Sequence, residues 1–320
     1  MLAIKSILMM IIGFVILIKG AGFFVDGASG IAERFHIPQI VIGLTIVAFG
    51  TSAPEAAISI SAAFAGTTGI AIGNILGSNL LNILIILGIS ACIVPLHIGK
   101  SSIRFDIPFN LVITLALVLF GVVCGGLNVF SGILFWMLMI VFLVHLFREA
   151  KRGNEQENTA KQPGKQRNMA LLILYIAGGI AAIIFGSDLA VDNATVIAAD
   201  ILHIDDRLIG LTIIALGTSL PELMTSVTAA RKGNADIAVG NILGSNIFNI
   251  LFVLGTVSLI APVTFSLSFV IDGVIGIAAV VLLYVLSKDD DTLSRRDGAI
   301  FLVCYAAYFV YLLAANLTVL

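Results

Sequence analysis

Long apolar segments alternate with short polar ones along almost the whole chain. Ten segments have the length of about 20 apolar residues that a helix needs to cross a bilayer. They lie near residues 4–25, 38–63, 69–91, 105–126, 129–148, 169–190, 207–230, 237–260, 267–287 and 298–317. The pattern therefore predicts an all-α polytopic membrane protein with ten transmembrane helices.

Two polar sequences inside the apolar segments occur twice. Residues 43–55 (GLTIVAFGTSAPE) match 210–222 (GLTIIALGTSLPE) at ten of 13 positions. Residues 73–84 (GNILGSNLLNIL) match 240–251 (GNILGSNIFNIL) at ten of 12. Both pairs are offset by 167 residues without a gap, since 210 − 43 and 240 − 73 are both 167. The duplication predicts one site built from two halves.

A single long polar stretch separates five apolar segments from five. Because each half has an odd number of segments, the second half crosses the membrane in the opposite direction, which makes an inverted-topology repeat. The predicted parts are a first repeat at 1–148, a cytoplasmic linker at 149–168 and a second repeat at 169–320.

The positive charges support this topology. If the N-terminus is outside, the inside loops carry 14 of the 17 Lys and Arg residues. Only Lys5 and Arg207 lie outside, and Lys19 lies within the first segment. The positive-inside rule then places both termini on the extracytoplasmic side of a cell membrane.

Composition and motifs exclude several classes of protein. The chain is 59% hydrophobic and 11% charged over 320 residues, whereas soluble domains are about 25% charged. No GxSxG or HExxH motif is present, which argues against a membrane hydrolase or metalloprotease. A channel would need a continuous pore. The two helix breaks described in the next paragraphs lie at one depth and favour a single occluded site instead.

The second apolar segment carries a group of oxygen donors beside a helix breaker. Thr51 and Glu55 share a helix face, and Ser52 is adjacent. Pro54 has no N–H, so it leaves the carbonyl of Gly50 without its helical donor. The sequence predicts a broken helix with free carbonyls, hydroxyls and a carboxylate at mid-membrane depth. The seventh segment repeats this set with Gly217, Thr218, Ser219, Pro221 and Glu222.

The third segment carries a polar stripe. Asn74, Ser78 and Asn82 follow one another at intervals of four residues, and the eighth segment repeats them as Asn241, Ser245 and Asn249. Hydrogen bonding between helices would also explain such a stripe, and it is the interpretation that we prefer for Asn79 and Asn246, which lie off it. Four glycines are small enough to allow close helix approach; they are Gly73, Gly77, Gly240 and Gly244.

The two segments offer oxygen ligands without sulfur or imidazole. Such sites suit Ca²⁺, Na⁺, Mg²⁺ or K⁺, whereas a zinc or copper carrier would present His or Cys. Two carboxylates balance one Ca²⁺ or two Na⁺. Each buried glutamate could instead be protonated or paired with a basic side chain. Lys19 is the only basic residue within a segment away from its ends, so it cannot pair with both glutamates.

These motifs resemble those of the sodium/calcium exchanger family, within the cation/calcium exchanger superfamily, in its short prokaryotic form. GTSAPE and GTSLPE, each followed by GNILGSN, are similar to the two α-repeats of that family and fix the resemblance over essentially the whole chain. The resemblance implies an alternating-access antiporter that exports Ca²⁺ against Na⁺ influx, with the first and sixth segments as the moving pair. It implies no cofactor, and transported Ca²⁺ and Na⁺ as the bound ions.

The resemblance also implies a set of ion ligands. Glu55 and Glu222 would bind both ions, with oxygens from Thr51, Ser52, Ser78, Thr218, Ser219 and Ser245. The carbonyls of Ala48 and Ala215 would serve flanking Na⁺ sites, and Asn82 and Asn249 would line the centre.

Some features leave the coupling ion and partners open. Some potassium-dependent relatives carry aspartate where this chain has Asn82 or Asn249, which weakens the case for K⁺ dependence. Proton-coupled members carry glutamates in the later motif, where this chain has Ser and Asn. Coupling to H⁺ or K⁺, or transport of another divalent cation, stays an alternative. We expect a lipid-embedded monomer with no nucleic-acid partner and no obligatory protein partner. The roles of Asp26, Asp192, His36 and His203 are left open.

Overall fold

A computed structural model describes residues 2–157, 168–197 and 215–317, and nearly all of them are helical. The helices are α1 (Leu2–Phe35), α2 (Gln39–Thr51), α3 (Ala53–Phe64), α4 (Thr68–Ile93), α5 (Ser102–Cys124), α6 (Val129–Glu157), α7 (Met169–Val196), α8 (Ala215–Thr218), α9 (Leu220–Arg231), α10 (Ala235–Ile260), α11 (Leu267–Ser287) and α12 (Arg295–Leu317).

Most of the described helices are long enough to span a membrane. Eight of these helices are long and apolar enough to cross a bilayer, and α2 with α3 makes a ninth candidate. The predicted segment at 207–230 lies partly outside the described residues, which resume at 215. A multi-pass membrane protein is confirmed, and the count of ten stays a prediction.

Two helices are longer than their apolar stretches indicate. α1 continues about ten residues past the expected end and stops where His36 takes a φ of 54°, two residues before Pro38. α6 runs to Glu157, so the first nine residues of the predicted linker at 149–168 continue this helix. The reason is composition, because EAKRGNEQE is rich in helix-forming residues that extend a helix into water.

The break predicted in the second segment is confirmed. α2 and α3 meet at an angle of 52°, and Ser52 between them has φ −86° and ψ 8°. Ser219 has nearly the same conformation, φ −93° and ψ 4°, between α8 and α9. In both copies the helix after the break has a proline in its first two positions, where the missing N–H is not needed.

Short π-helical turns interrupt the motif helices. They cover Gly43–Val47 in α2, Leu81–Leu87 in α4 and Asn249–Leu254 in α10. Such wide turns are often found at functional positions. In α4 and α10 they begin within one residue of the central asparagines, a feature that the sequence did not indicate.

The bundle has a buried centre and several exposed helices, among them the outer pair α1 and α7. The apolar stretch of α10 is 94% buried and that of α4 is 72% buried, against 28% for α1 and 22% for α7. α10 packs closely on α2, since a Cβ added at Gly244 would lie 2.7 Å from the Leu44 Cα. Close approach is thus confirmed at Gly240 and Gly244. It is wrong at Gly73 and Gly77, where the nearest described atom to an added Cβ is 3.6 Å away or beyond 4 Å.

α1 and α7 form the outer pair, and glycines bring their backbones together. A Cβ added at Gly13 would lie 2.6 Å from the Ala190 N, and one at Gly186 would lie 2.6 Å from the Leu17 N. The small residues therefore hold the two helices against each other along most of their length.

Two short antiparallel β-ladders connect loops of the two halves. β1 (Leu96–His97) pairs with β4 (Thr292–Leu293), and β2 (Gly126–Leu127) pairs with β3 (Val263–Thr264). Each ladder holds two loops on the same side of the bundle.

Candidate cation-binding site

The two glutamates lie at equivalent places, in the first turns of α3 and α9 just after the breaks. Each is only 1% exposed. A helix N-terminus carries partial positive charge, so this position favours a carboxylate. The break therefore places each buried acid where the backbone itself helps to stabilise its negative charge.

The side chain of each glutamate contacts a residue at the helix break of the other copy of the motif. Ser52 Oγ donates to Glu222 Oε1 at 2.8 Å, and the Thr218 side chain hydrogen-bonds with the Glu55 carboxylate. The motif residues of the two halves therefore contact each other at the place where the duplication predicts a shared site.

Two asparagines support the turns that carry the glutamates. Asn74 Nδ2 donates to the Ser59 Oγ at 3.0 Å and to the Glu55 O at 3.3 Å. Asn241 Nδ2 donates to the Ser226 Oγ at 2.8 Å and to the Glu222 O at 3.4 Å. Ser59 and Ser226 were not singled out in the sequence. Their spacing of 167 residues, four positions after each glutamate, was the available signal.

Carbonyls at the breaks already have donors within the protein. The Ala48 O accepts from the Ser52 N at 3.0 Å and from the Thr51 Oγ1 at 3.3 Å. The Gly217 O, which Pro221 leaves without a helical donor, accepts from the Ser187 Oγ of α7 at 3.1 Å. Ala215 begins α8, and its side chain is outside the described set. Sequence reasoning missed Ser187, because its counterpart 167 residues earlier is Gly20.

The central asparagines bond across the interface of α4 and α10. Asn82 Nδ2 donates to the Asn246 Oδ1 at 2.9 Å, and Asn249 Nδ2 donates to the Asn79 Oδ1 at 3.1 Å. Thr51 Oγ1 likewise reaches the Asn241 Oδ1 at 3.0 Å. The interpretation of Asn79 and Asn246 as interhelical hydrogen-bonding residues is confirmed.

Several buried oxygens of these motifs have no hydrogen-bond partner among the described atoms. They are Glu55 Oε2, Glu222 Oε2, Asn82 Oδ1, Asn249 Oδ1, Ser219 Oγ and Ser245 Oγ. A buried polar atom without a partner costs about 1–3 kcal/mol. Such a concentration is a strong indication of a ligand, and oxygens alone suit a hard cation. Ser78 is buried in the same helix as Asn82.

Other polar residues that the sequence singles out lie on or next to α1 and α7 where they are described. Asp26 of α1 pairs with Lys232 just after α9, with 2.8 Å between Oδ1 and Nζ. His36 ends α1, Asp192 lies in α7, and His203 is outside the described residues. Within the described ranges no three His, Cys, Asp or Glu side chains form a metal-binding group.

Comparisons with known proteins agree with this architecture. A family model described as sodium/calcium exchanger protein matches residues 5–148 and 171–314. The putative antiporter CaxA of Alkalimonas amylolytica is 38% identical, over 93% of this chain and 95% of its own length. The sodium/calcium exchanger MaX1 of Methanosarcina acetivorans is 32% identical, over 96% and 98%.

Solved structures agree as well. The sodium-calcium exchanger NCX_Mj, soaked with zero Na⁺ and Ca²⁺, superposes with a TM-score of 0.82 at 30% identity, over 97% of this chain and 99% of that one. The same exchanger soaked with 2.5 mM Na⁺ and 10 mM Sr²⁺ gives a TM-score of 0.83 at 30% identity, over 96% and 99%.

Proposed function

This chain belongs to the sodium/calcium exchanger family, and from that premise we propose that it exports Ca²⁺ in exchange for Na⁺ by alternating access. Membership makes it a membrane cation/Ca²⁺ antiporter. The driving ion and the direction of transport are our proposal.

The observation that carries the proposal is the set of buried oxygens without partners. Both carboxylates and both central amides contribute one such atom each, and all four belong to the duplicated motifs. Two carboxylates balance one Ca²⁺ or two Na⁺, so the same site can take either ion in turn. Ca²⁺ accepts 6–8 oxygens in flexible geometry, which hydroxyls, amides and bent backbone supply together.

The proposed ligands come from all four motif segments. Glu55 and Glu222 are shared by both ions, and Asn82 and Asn249 line the centre. The remaining oxygens come from Ala48, Thr51, Ser52, Ser78, Ala215, Thr218, Ser219 and Ser245. The carbonyl of Ala48 can serve a flanking Na⁺ if the Thr51 hydroxyl turns away from it, since that hydroxyl is its second donor.

The β-ladders support ten crossings and an inverted repeat. Between β2 and β3 the chain passes through α6, α7 and α10, and it returns to the same side only if it crosses once more between α7 and α10. The path from β1 to β4 leads to the same requirement. We therefore infer five crossings in 1–148 and five in 169–320, with opposite directions.

Orientation and environment follow from this topology. The distribution of basic residues supports a multi-pass protein of a cell membrane with the 149–168 connection in the cytoplasm and both termini outside. The site lies within one chain, and this supports a functional monomer that needs no protein partner.

Transport into proteoliposomes tests the proposal. Vesicles loaded with Na⁺ are diluted into Na⁺-free buffer, and uptake of radioactive Ca²⁺ is followed beside K⁺-loaded and acid-loaded vesicles. We expect uptake only with an outward Na⁺ gradient. Uptake that follows a proton or K⁺ gradient instead would contradict Na⁺ coupling, and no uptake by any gradient would contradict Ca²⁺ as the cargo.

A further inference from the structure

Two asparagines outside the proposed ligand set join α4 to α10 across the centre of the bundle. We propose that Asn79 and Asn246 are positioning residues that turn the carboxamide oxygens of Asn249 and Asn82 toward the cation. This inference rests on the proposed function, because the oxygens that it orients belong to the same site.

Backbone carbonyls fix the orientation of the two outer amides. Asn79 Nδ2 donates to the Asn246 O, and Asn246 Nδ2 donates to the Asn79 O, both at 3.3 Å. A carbonyl oxygen only accepts hydrogen bonds, so each amino group must face the opposite backbone. The Oδ1 atoms of Asn79 and Asn246 are thereby left to accept from elsewhere.

The outer amides then fix the inner ones. Asn246 Oδ1 lies 2.9 Å from Asn82 Nδ2, and Asn79 Oδ1 lies 3.1 Å from Asn249 Nδ2. Because an amide carries its two donors on one atom and its acceptor on the other, each central amide must present Oδ1 in the other direction. Those two Oδ1 atoms are among the buried oxygens that have no hydrogen-bond partner in the described part of the chain.

This arrangement determines which atoms of the central amides face the cation and how much charge the site carries. Without the outer amides, Asn82 or Asn249 can turn over and present an amino group, which repels a cation. An ionised aspartate at 249 would place two acceptors 3.1 Å apart, the distance now spanned by the Asn249–Asn79 bond. Asn79 and Asn246 therefore favour neutral amides at the centre and keep the site at two negative charges.

Double-mutant cycles test whether the outer residue acts through the inner one. Equilibrium binding of radioactive Ca²⁺ is measured on purified wild-type protein, Asn246→Ala, Asn82→Ala and the double variant. We expect each single substitution to weaken binding about tenfold. The double variant should also lose about tenfold rather than a hundredfold, because the second substitution removes a residue that is already misaligned.

The pseudo-symmetry and a buried serine supply controls. Asn79 with Asn249 forms an independent second cycle, which keeps the test available if one variant does not fold. Ser258→Ala is the matched control, since Ser258 is buried in α10 and its hydroxyl donates to the Leu254 O of its own helix. Ca²⁺ binding should be unchanged in that variant.

The outcomes separate the two proposals. Additive losses of affinity in both cycles, or full affinity in Asn79→Ala and Asn246→Ala, would overturn the positioning role. Coupled losses in a protein that binds Ca²⁺ but shows no uptake driven by Na⁺ would support that role and overturn Na⁺ coupling. A wild-type protein that binds no Ca²⁺ would overturn both.

Discussion

The two copies of the motif differ more in their contacts than in their sequences. In the second copy, Glu222 accepts from Ser52, and the freed Gly217 carbonyl accepts from Ser187. In the first copy, the residue equivalent to Ser187 is Gly20. The contact to Glu55 that would match the Ser52–Glu222 bond is also missing, because the buried Ser219 hydroxyl has no partner among the described atoms. In this conformation, two nearly identical sequences therefore make different hydrogen bonds.

This inequality is what an alternating-access mechanism requires. In an inverted repeat the two halves face opposite sides of the membrane, so a state open to one side must hold the halves in different conformations. Exchange of those conformations opens the other side. Under the proposed mechanism, we expect the asymmetric hydrogen bonds at Ser52 and Ser219 to be a property of one state rather than of the two sequences.

The largest effect should be the same in both copies. Glu55→Gln and Glu222→Gln each remove a carboxylate from a site whose charge balances one Ca²⁺, and we expect Ca²⁺ uptake to fall to background in both. Proteoliposome uptake measures it, with the folded state checked by the thermal unfolding midpoint. Ser258→Ala serves as the active control. Full activity in either glutamine variant would contradict the site.

Substitution of the asparagines that support the two glutamate turns should destabilise the protein to different extents in the two copies. Asn241 bonds to Ser226, the Glu222 backbone and Thr51, and it is fully buried, whereas Asn74 has two partners and is half-buried. We expect Asn241→Ala to cost about 2–3 kcal/mol and Asn74→Ala about 1–2 kcal/mol. Thermal unfolding without cations tests the order. Equal losses would mean that the two copies are equally supported.

Much of this comparison was accessible from the sequence. Length and apolarity predict the helices, Pro54 and Pro221 predict the breaks, and exact duplication selects the polar residues that the fold brings together. These signals are local or repeated. They are enough to predict the site because a polar group is costly inside an apolar segment and is usually there for a function.

The remaining features depend on tertiary packing and could not be predicted. Ser187 is a lone serine whose counterpart is glycine, so duplication gives no sign of its bond to Gly217. The extension of α1 past its apolar stretch and the π turns near Asn82 and Asn249 have no signal in the hydrophobic pattern either. The positioning role inferred for Asn79 likewise arises from atoms on an opposing helix.

A smaller effect should depend on whether a cation is bound. Ser52→Ala removes the 2.8 Å hydrogen bond to Glu222, and we expect it to cost about 1 kcal/mol in cation-free protein. Ser219→Ala removes a hydroxyl without a partner, so it should be close to neutral there. Added Ca²⁺ should reveal a loss in both variants, because both hydroxyls are proposed ligands. Thermal unfolding with and without Ca²⁺ measures this, and an equal cation-free loss would contradict the asymmetry.

The smallest effect is expected where the two copies meet outside the site. Lys232, after α9, reaches Asp26 of α1 at 2.8 Å and the Gly22 O at 2.7 Å, yet its side chain is 33% exposed and that of Asp26 is 41% exposed. Ion pairs this accessible contribute about 0–1 kcal/mol and weaken with salt. Asp26→Asn should therefore lower the unfolding midpoint slightly at low ionic strength and not at high ionic strength. The Gly22 contact remains in that variant, so a large loss that salt does not reduce would show that this junction holds α1 to the second copy by more than charge.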